Sequence, residues 1–335
     1  MKGLPTLGGS SQIGCIVAPL LDPWERLAQV INHPNPSDFA LQLAADPGTV
    51  LSGLAGGVAL VPPGGGPLAP PPVDPSPDDE QLPITPALSS GAGPVSSVDA
   101  TFTLRAGSTP IWILAPFVPP QLNVGRPDFV AELARRWRVS SSQVEQDLAD
   151  PAAFLKLVAT RNKRTKLRDA YLAALRAAAL PRDQNWTSLL LYSGPYGLRR
   201  RWRSRWPTPS GNPAPGDPRE GSPWGSNAGW LHTGDACLGD ASMLQEVTTY
   251  YGSWLETLGT LQAPHHGSGG NWHSTLATRA GAGANIVVAG VPGYRGWPLP
   301  ATQLQMDVAA AGSSLVQVTD DPGSRFSDTW TISIA

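Results

Sequence analysis

The sequence predicts an α/β fold, on three observations. Its 335 residues suffice for one large or two ordinary domains with a sizeable buried core. Gly and Pro number 36 each, about a fifth of the chain, which is too high for an all-helical protein and lacks the strict period of collagen. Roughly the last 150 residues alternate strand-like runs with helix-like ones, the pattern of sheets covered by helices.

Residues 1–60 form an amino-terminal segment of unassigned fold. Its first 19 residues hold one Lys and a weak apolar run broken by Gly8, Gly9 and Gly14, a poor match to a signal peptide. An apolar-periodic stretch follows around Trp24, Leu27, Val30 and Ile31, then a Gly-rich apolar tail over 50–60. Residues 61–98, rich in Pro, Gly and Ser, cannot bury enough apolar surface to offset their ordering entropy and read as a linker or long surface loop.

A third region, 99–335, carries the alternation. TFTLRAG and PIWILAPFV read as two strands or a hairpin bounded by Gly107 and Pro110. Residues 128–180 form a helical insert, with Phe129, Leu133 and Trp137 at i, i+4 and i+8 and a stop before Pro181. The basic run from Arg161 to Arg168 lies on it, either a solvated face or a phosphate site. SLLLY at 188–192 and GWLHT at 229–233 are strands. The insert between them, 196–228, interleaves Arg and Trp as LRRRWRSRW, a stiff arm or a grip on single-stranded nucleic acid. Helix-like periodicity over 241–257, a short apolar run at 261–264 and a helix at 274–280 come next. Then follow a strand at 285–291, a helix at 302–311 and strands at 315–318 and 329–334.

Composition excludes several function classes. The 24 basic and 26 acidic residues give a formal charge of −2, so no overall field selects for nucleic acid or an anionic membrane. Two cysteines, Cys15 and Cys237, exclude a disulfide framework and a multi-cysteine zinc module. No run reaches the roughly 18 apolar residues that a membrane span needs, and the chain reads as soluble and cytoplasmic. The absence of G-x-S-x-G argues against Ser268 as a nucleophile.

The remaining chemistry gathers in five histidines, His33, His232, His265, His266 and His273, three of them within nine positions. A carboxylate, Asp235, leaves one strand end; 30 residues later the tandem His265-His266 leaves another. Oxygen and imidazole donors converging at the carboxyl edge of a sheet suit Zn²⁺, Mn²⁺ or Fe²⁺. Against this, Asp235 can cap the following helix, and adjacent histidines on a strand point to opposite faces. His232 reads as packed or hydrogen-bonded, Cys237 as a small buried residue, and His273 as able to touch substrate.

Taken together, N-W-T-S-L-L-L-Y at 185–192, T-G-D-A at 233–236 and A-P-H-H-G-S at 263–268 resemble the carboxy-terminal half of a metallo-β-lactamase-fold hydrolase. The branch they resemble includes the hydrolase domain of competence DNA-uptake proteins. The resemblance covers roughly residues 100–335 and implies an αββα sandwich whose active members use a di-metal centre to cleave a phosphodiester or related bond. It makes Asp235 the bridging carboxylate and His265 a metal ligand, with His266 the alternative if the register shifts by one. Asn185, Ser268 and His273 become substrate-side residues. The implied cofactor is a divalent metal, Zn²⁺ first and Mn²⁺ second, and the substrate a small molecule or a nucleic acid.

Two departures weigh on that implication. The family's H-x-H-x-D-H signature is missing; the nearest text, HPNPSD at 33–38, has one His and one Asp in the wrong register. At 296–298 the branch's G-H-P reads G-W-P. A catalytic ion that lowers the pKa of bound water to around 7 takes three or more protein ligands. The sandwich is therefore expected to be incomplete at its amino terminus, the chain either starting after the lost signature or being a silent descendant. A partner copy supplying ligands is a further reading. From a different class comes a non-catalytic binding or assembly module contacting a protein or single-stranded nucleic acid.

Overall fold

A computed structural model describes residues 13–31, 33, 35–65, 67–71, 95–96, 101–106, 109–120, 126–177, 188–196, 202–205, 228–290, 300–319, 321, 324 and 329–332. These form a mixed α/β protein of two compact units, one drawn from within 1–64, 86–100 and 118–187, the other from within 65–85, 101–117 and 188–335.

In the first unit, β1 (Ile13–Pro19) runs parallel to β2 (Ala55–Val61), which also pairs with the short β3 (Val95–Ser96). Parallel neighbours need a crossover, here α1 (Pro23–Ile31), α2 (Asp38–Ala45) and α3 (Pro47–Ser52). The apolar stripe read around Trp24 is the buried face of α1, with Trp24, Leu27, Val30 and Ile31 all buried. The Gly-rich tail becomes β2, buried over its last five residues. Arg26, largely buried on α1, donates to the carbonyls of Ala44 and Ala45 at 2.8 and 2.7 Å and so closes the end of α2.

The predicted helical stretch is four helices: α4 (Arg126–Trp137), α5 (Ser141–Ala149), α6 (Pro151–Val158) and α7 (Arg161–Ala177). Local chemistry sets the breaks. Ser140 Oγ caps α5 by accepting from Gln143 N, and Asp150 Oδ1 caps α6 by accepting from Ala153 N, ahead of Pro151 at the first helical position. Trp24 lies 5.9 Å from Phe129 and 6.3 Å from Tyr171 by ring centroid, and Phe129 meets Tyr171 edge-on at 5.2 Å. Residues 126–177 thus share a core with the amino-terminal segment, whereas the sequence division places them as an insert within 99–335. The aromatic contacts that join them span more than 100 positions and leave no local signal.

The second unit is built on β4 (Phe102–Ala106), β5 (Thr109–Phe117), β6 (Leu190–Pro195), β7 (Trp202–Arg205), β8 (Gly229–His232), β9 (Leu258–Gln262), β10 (Asn285–Ala289), β11 (Ser314–Val318) and β12 (Thr329–Ile332). Its helices are α8 (Ala241–Tyr251), α9 (Ser274–Ala280) and α10 (Thr302–Ala310). Seven strands form one sheet in the order β11-β10-β9-β8-β6-β5-β4. The β4–β5–β6–β8 side is antiparallel, and β8 through β11 are parallel, with α8, α9 and α10 falling between successive strands. Ile113, Ala115, Phe117, Leu190, Tyr192, Leu231, Leu261, Ile286 and Val288 are buried along the sheet, with Tyr250, Tyr251 and Trp254 from α8 and the 3-10 turn Gly252–Thr257.

Part of the Pro/Gly-rich stretch is anchored to this unit, since Leu68 N donates to Tyr250 O at 2.8 Å and Trp254 Nε1 donates to Ala69 O at 2.7 Å. Within the Arg/Trp stretch, Trp202–Arg205 is a strand, paired antiparallel with β12 in a separate two-stranded sheet. Among the described residues no helix is long and apolar enough to cross a membrane.

Candidate functional site

Parallel strands β8, β9 and β10 end on the same edge, and the turns that follow them carry the motif residues. After β8 comes Thr233-Gly234-Asp235, after β9 Ala263 to Ser268, and after β10 Gly290. Thr233, fully buried, donates its hydroxyl to Gln262 O at 2.7 Å and ties the first turn to the neighbouring strand. Ala236 N returns to Thr233 O at 3.1 Å and closes a tight turn that leaves the Asp235 side chain exposed. The helix-capping alternative falls away, because Asp240 caps α8 by accepting from Ser242 N and Met243 N at 2.9 and 3.1 Å.

The tandem histidines sit at the centre of this edge and bridge it. His265 N donates to Gly234 O at 3.0 Å, on the β8 side. His266 Nδ1 lies 2.5 Å from Ala289 O, on the β10 side. A carbonyl only accepts, so Nδ1 donates in this contact and Nε2 is left to face another partner. Neither residue has strand geometry. His265 (φ 46, ψ 55) and His266 (φ 57, ψ 24) both occupy the left-handed region, inside the short turn Pro264–Gly267. The expectation that the pair alternates on a strand is thereby replaced: successive left-handed residues turn the imidazoles 74° apart with centroids 5.9 Å apart. Each such non-glycine conformation costs on the order of 1–3 kcal/mol and persists only where the surroundings impose it. Gly267 (φ 75) completes the turn; a Cβ there would press on Pro300 and Val288 at 3.2 Å.

A buried layer holds the Asp235 turn from below. Asn271, 5% exposed, donates through Nδ2 to Ala236 O and lies 3.3 Å from Cys237 Sγ. Gly239 approaches the next loop so closely that a side chain there would collide with Gly270 O. His232 stacks on Trp230 at 4.6 Å and 15°; burial pulls its pKa below the ordinary histidine value, against a hydrogen bond with the Gln262 side chain. Its expected packed role holds. Cys237 is buried, as read.

Asp235, His265 and His266 are therefore brought to one edge by main-chain geometry. His273 is placed at the start of α9, where Nδ1 accepts from Thr275 N at 3.2 Å and caps the helix. Ser268 ends the histidine turn, its N–H donating to His265 O at 3.0 Å. His33, in the text nearest the missing signature, accepts from Asn35 N at 3.2 Å within its own turn. Asn185 and Trp297 lie outside the described residues. Asn271 supports the site without a signal in the sequence, because it acts on the carbonyl of Ala236, which a distant segment contributes.

The donor chemistry of Asp235 and the two imidazoles suits a divalent cation, but the count does not. Among the described residues no three His, Cys, Asp or Glu side chains gather closely enough to hold an ion. An ion that activates water rests on three or more protein ligands, so the described residues by themselves do not complete the expected zinc or manganese centre. In comparisons with known proteins, no family pattern, no curated protein and no solved structure matches this chain.

Proposed function

We propose that this chain is a hydrolase of the metallo-β-lactamase type, acting on a phosphodiester or related bond at the carboxyl edge of β8–β10. The observation that supports this reading is the strained histidine pair. Two adjacent non-glycine residues held left-handed beside Asp235, and tied to the strand ends on both sides, are what a ligand site retains and a purely structural turn avoids. The motif order T-G-D-A, then H-H-G-S, on neighbouring parallel strands adds to it. Within this reading Asp235 supplies a carboxylate, His265 and His266 supply imidazole nitrogens, and Asn271 fixes the Asp235 turn. His266, whose Nδ1–H is engaged by a carbonyl, has the orientation that metal-ligating histidines commonly adopt.

Elemental analysis by mass spectrometry on the purified chain tests the reading. Expected is Zn or Mn near one equivalent, lost in Asp235→Ala and in His266→Ala, together with turnover of a chromogenic phosphodiester that the same variants abolish. A metal-free and inactive chain overturns it. A second reading, a non-catalytic binding or assembly module, is favoured by the shortage of ligands among the described residues. It expects no metal and no turnover.

A further inference from the structure

The helices of the first unit hold a second candidate site, independent of the strand edge. A cleft of about 270 Å³ opens between α4, α6 and α7, lined by Trp137, Leu157, Lys163, Lys166 and Leu167. Leu167 is buried and Trp137 and Leu157 are half-buried, so the floor is apolar and aromatic, while both lysines are exposed at the rim. Three residues apart on α7, the two ammonium groups stand one turn from each other on one flank of the helix. Lys163 Nζ donates to Lys156 O at 2.9 Å, which fixes that side chain across the end of α6. Among the described residues the ion pairs here join Glu132 to Arg135 and Arg136, leaving neither cleft lysine neutralised by a carboxylate.

The charge around the cleft is equally uneven. Residues 126–177 carry eleven Arg or Lys against six Asp or Glu, a local +5 in a chain whose formal charge is −2. Such a field concentrates polyanions near these helices. An indole floor with ammonium groups at the rim matches the two parts of a nucleotide, a planar ring to stack and a phosphate to neutralise. The volume falls near the lower end for ligand pockets, enough for one such unit rather than a long ligand.

We propose that this cleft seats one nucleotide of a single-stranded nucleic acid, its base on Trp137 and its phosphates on Lys163 and Lys166. The basic run on α7 is then a phosphate site, not merely a solvated face.

Fluorescence anisotropy of a labelled ten-nucleotide single strand, titrated with the full chain at several salt concentrations, tests it. The double variant Lys163→Gln/Lys166→Gln is expected to bind about ten-fold more weakly at low salt, with the slope of log affinity against log salt reduced by about 1.4 for two lost phosphate contacts. Trp137→Ala is expected to weaken binding about ten-fold with the slope unchanged, and Trp137→Phe to restore most of it. The exposed lysines can be replaced without disturbing the core, so the test survives if Trp137→Ala fails to fold. Unchanged affinity in the lysine variant overturns the proposal. Inorganic polyphosphate competing as well as the strand overturns it too, since charge alone would then explain binding, as does adenosine monophosphate matching the strand's affinity.

Discussion

Two regions of the seven-stranded sheet are built on opposite terms. Under its antiparallel side lies an aromatic cluster in which polar tips are satisfied and conformations are ordinary. Tyr192 Oη pairs with Thr257 Oγ1 at 2.6 Å, Tyr250 and Tyr251 donate to the carbonyls of Pro116 and Ala115, and Trp254 donates to Ala69. Phe117 stacks on Tyr250 at 4.2 Å. At the carboxyl edge of the parallel side, two consecutive histidines are forced left-handed and Asp235 is left exposed. The contrast teaches where this fold spends stability: buried rings with paired hydroxyls and indoles stabilise the sheet, and the edge draws on that stability to hold unfavourable backbone beside potential ligand atoms.

Trp254→Ala removes a fully buried indole and its hydrogen bond, and should cost about 3–5 kcal/mol, read as a lower urea midpoint for this unit. An unaffected midpoint would mean that the aromatic cluster is not what stabilises the sheet. Asn271→Ala leaves Ala236 O without its buried donor and should cost about 1–3 kcal/mol, with faster amide exchange confined to the Asp235 turn. Exchange rising evenly through the unit would break the link to that turn.

His265→Gly acts in the opposite direction. Relief of a left-handed conformation should stabilise the chain by about 1 kcal/mol while abolishing any metal content or turnover. A destabilised variant would show that the turn is not strained. The smallest effect is in pH. Burial holds the His232 pKa below its ordinary 6.5, so the unfolded chain takes up the proton first as pH falls. The contribution of His232 to stability is therefore intact at pH 7 and above and declines below about 6.5, with a slope of at most about 1.4 kcal/mol per pH unit. Midpoints measured from pH 7.5 to 5.5 should show this decline in the parent and lose it in His232→Gln; equal slopes would rule it out.

Much of the second unit was legible from local pattern. The strand at 285–291, the helix at 274–280 and the hairpin from TFTLRAG to PIWILAPFV appear within a few residues of their expected places, because period-2 and period-3.6 apolar spacing is a local property. β1 has no clear local signal, its run interrupted by Gly14 and stabilised by pairing with β2 some 40 residues away. At the site, Asp235 and the histidine pair were legible as residue types at strand ends, whereas His273 as a helix cap and His266 bonded to Ala289 were not. Both facts depend on which backbone group an imidazole meets.

Composition and periodicity pointed to the α/β class, the order of most elements and a carboxylate and two imidazoles at strand ends; their adjacency came from the sheet order. Only the folded chain decided that residues 126–177 share a core with α1, that the tandem histidines turn left-handed, and that Asn271 braces the turn before them. Those outcomes depend on contacts between segments far apart along the chain. Their free energy is gained only when both partners are in place, and one segment read by itself carries no trace of the other.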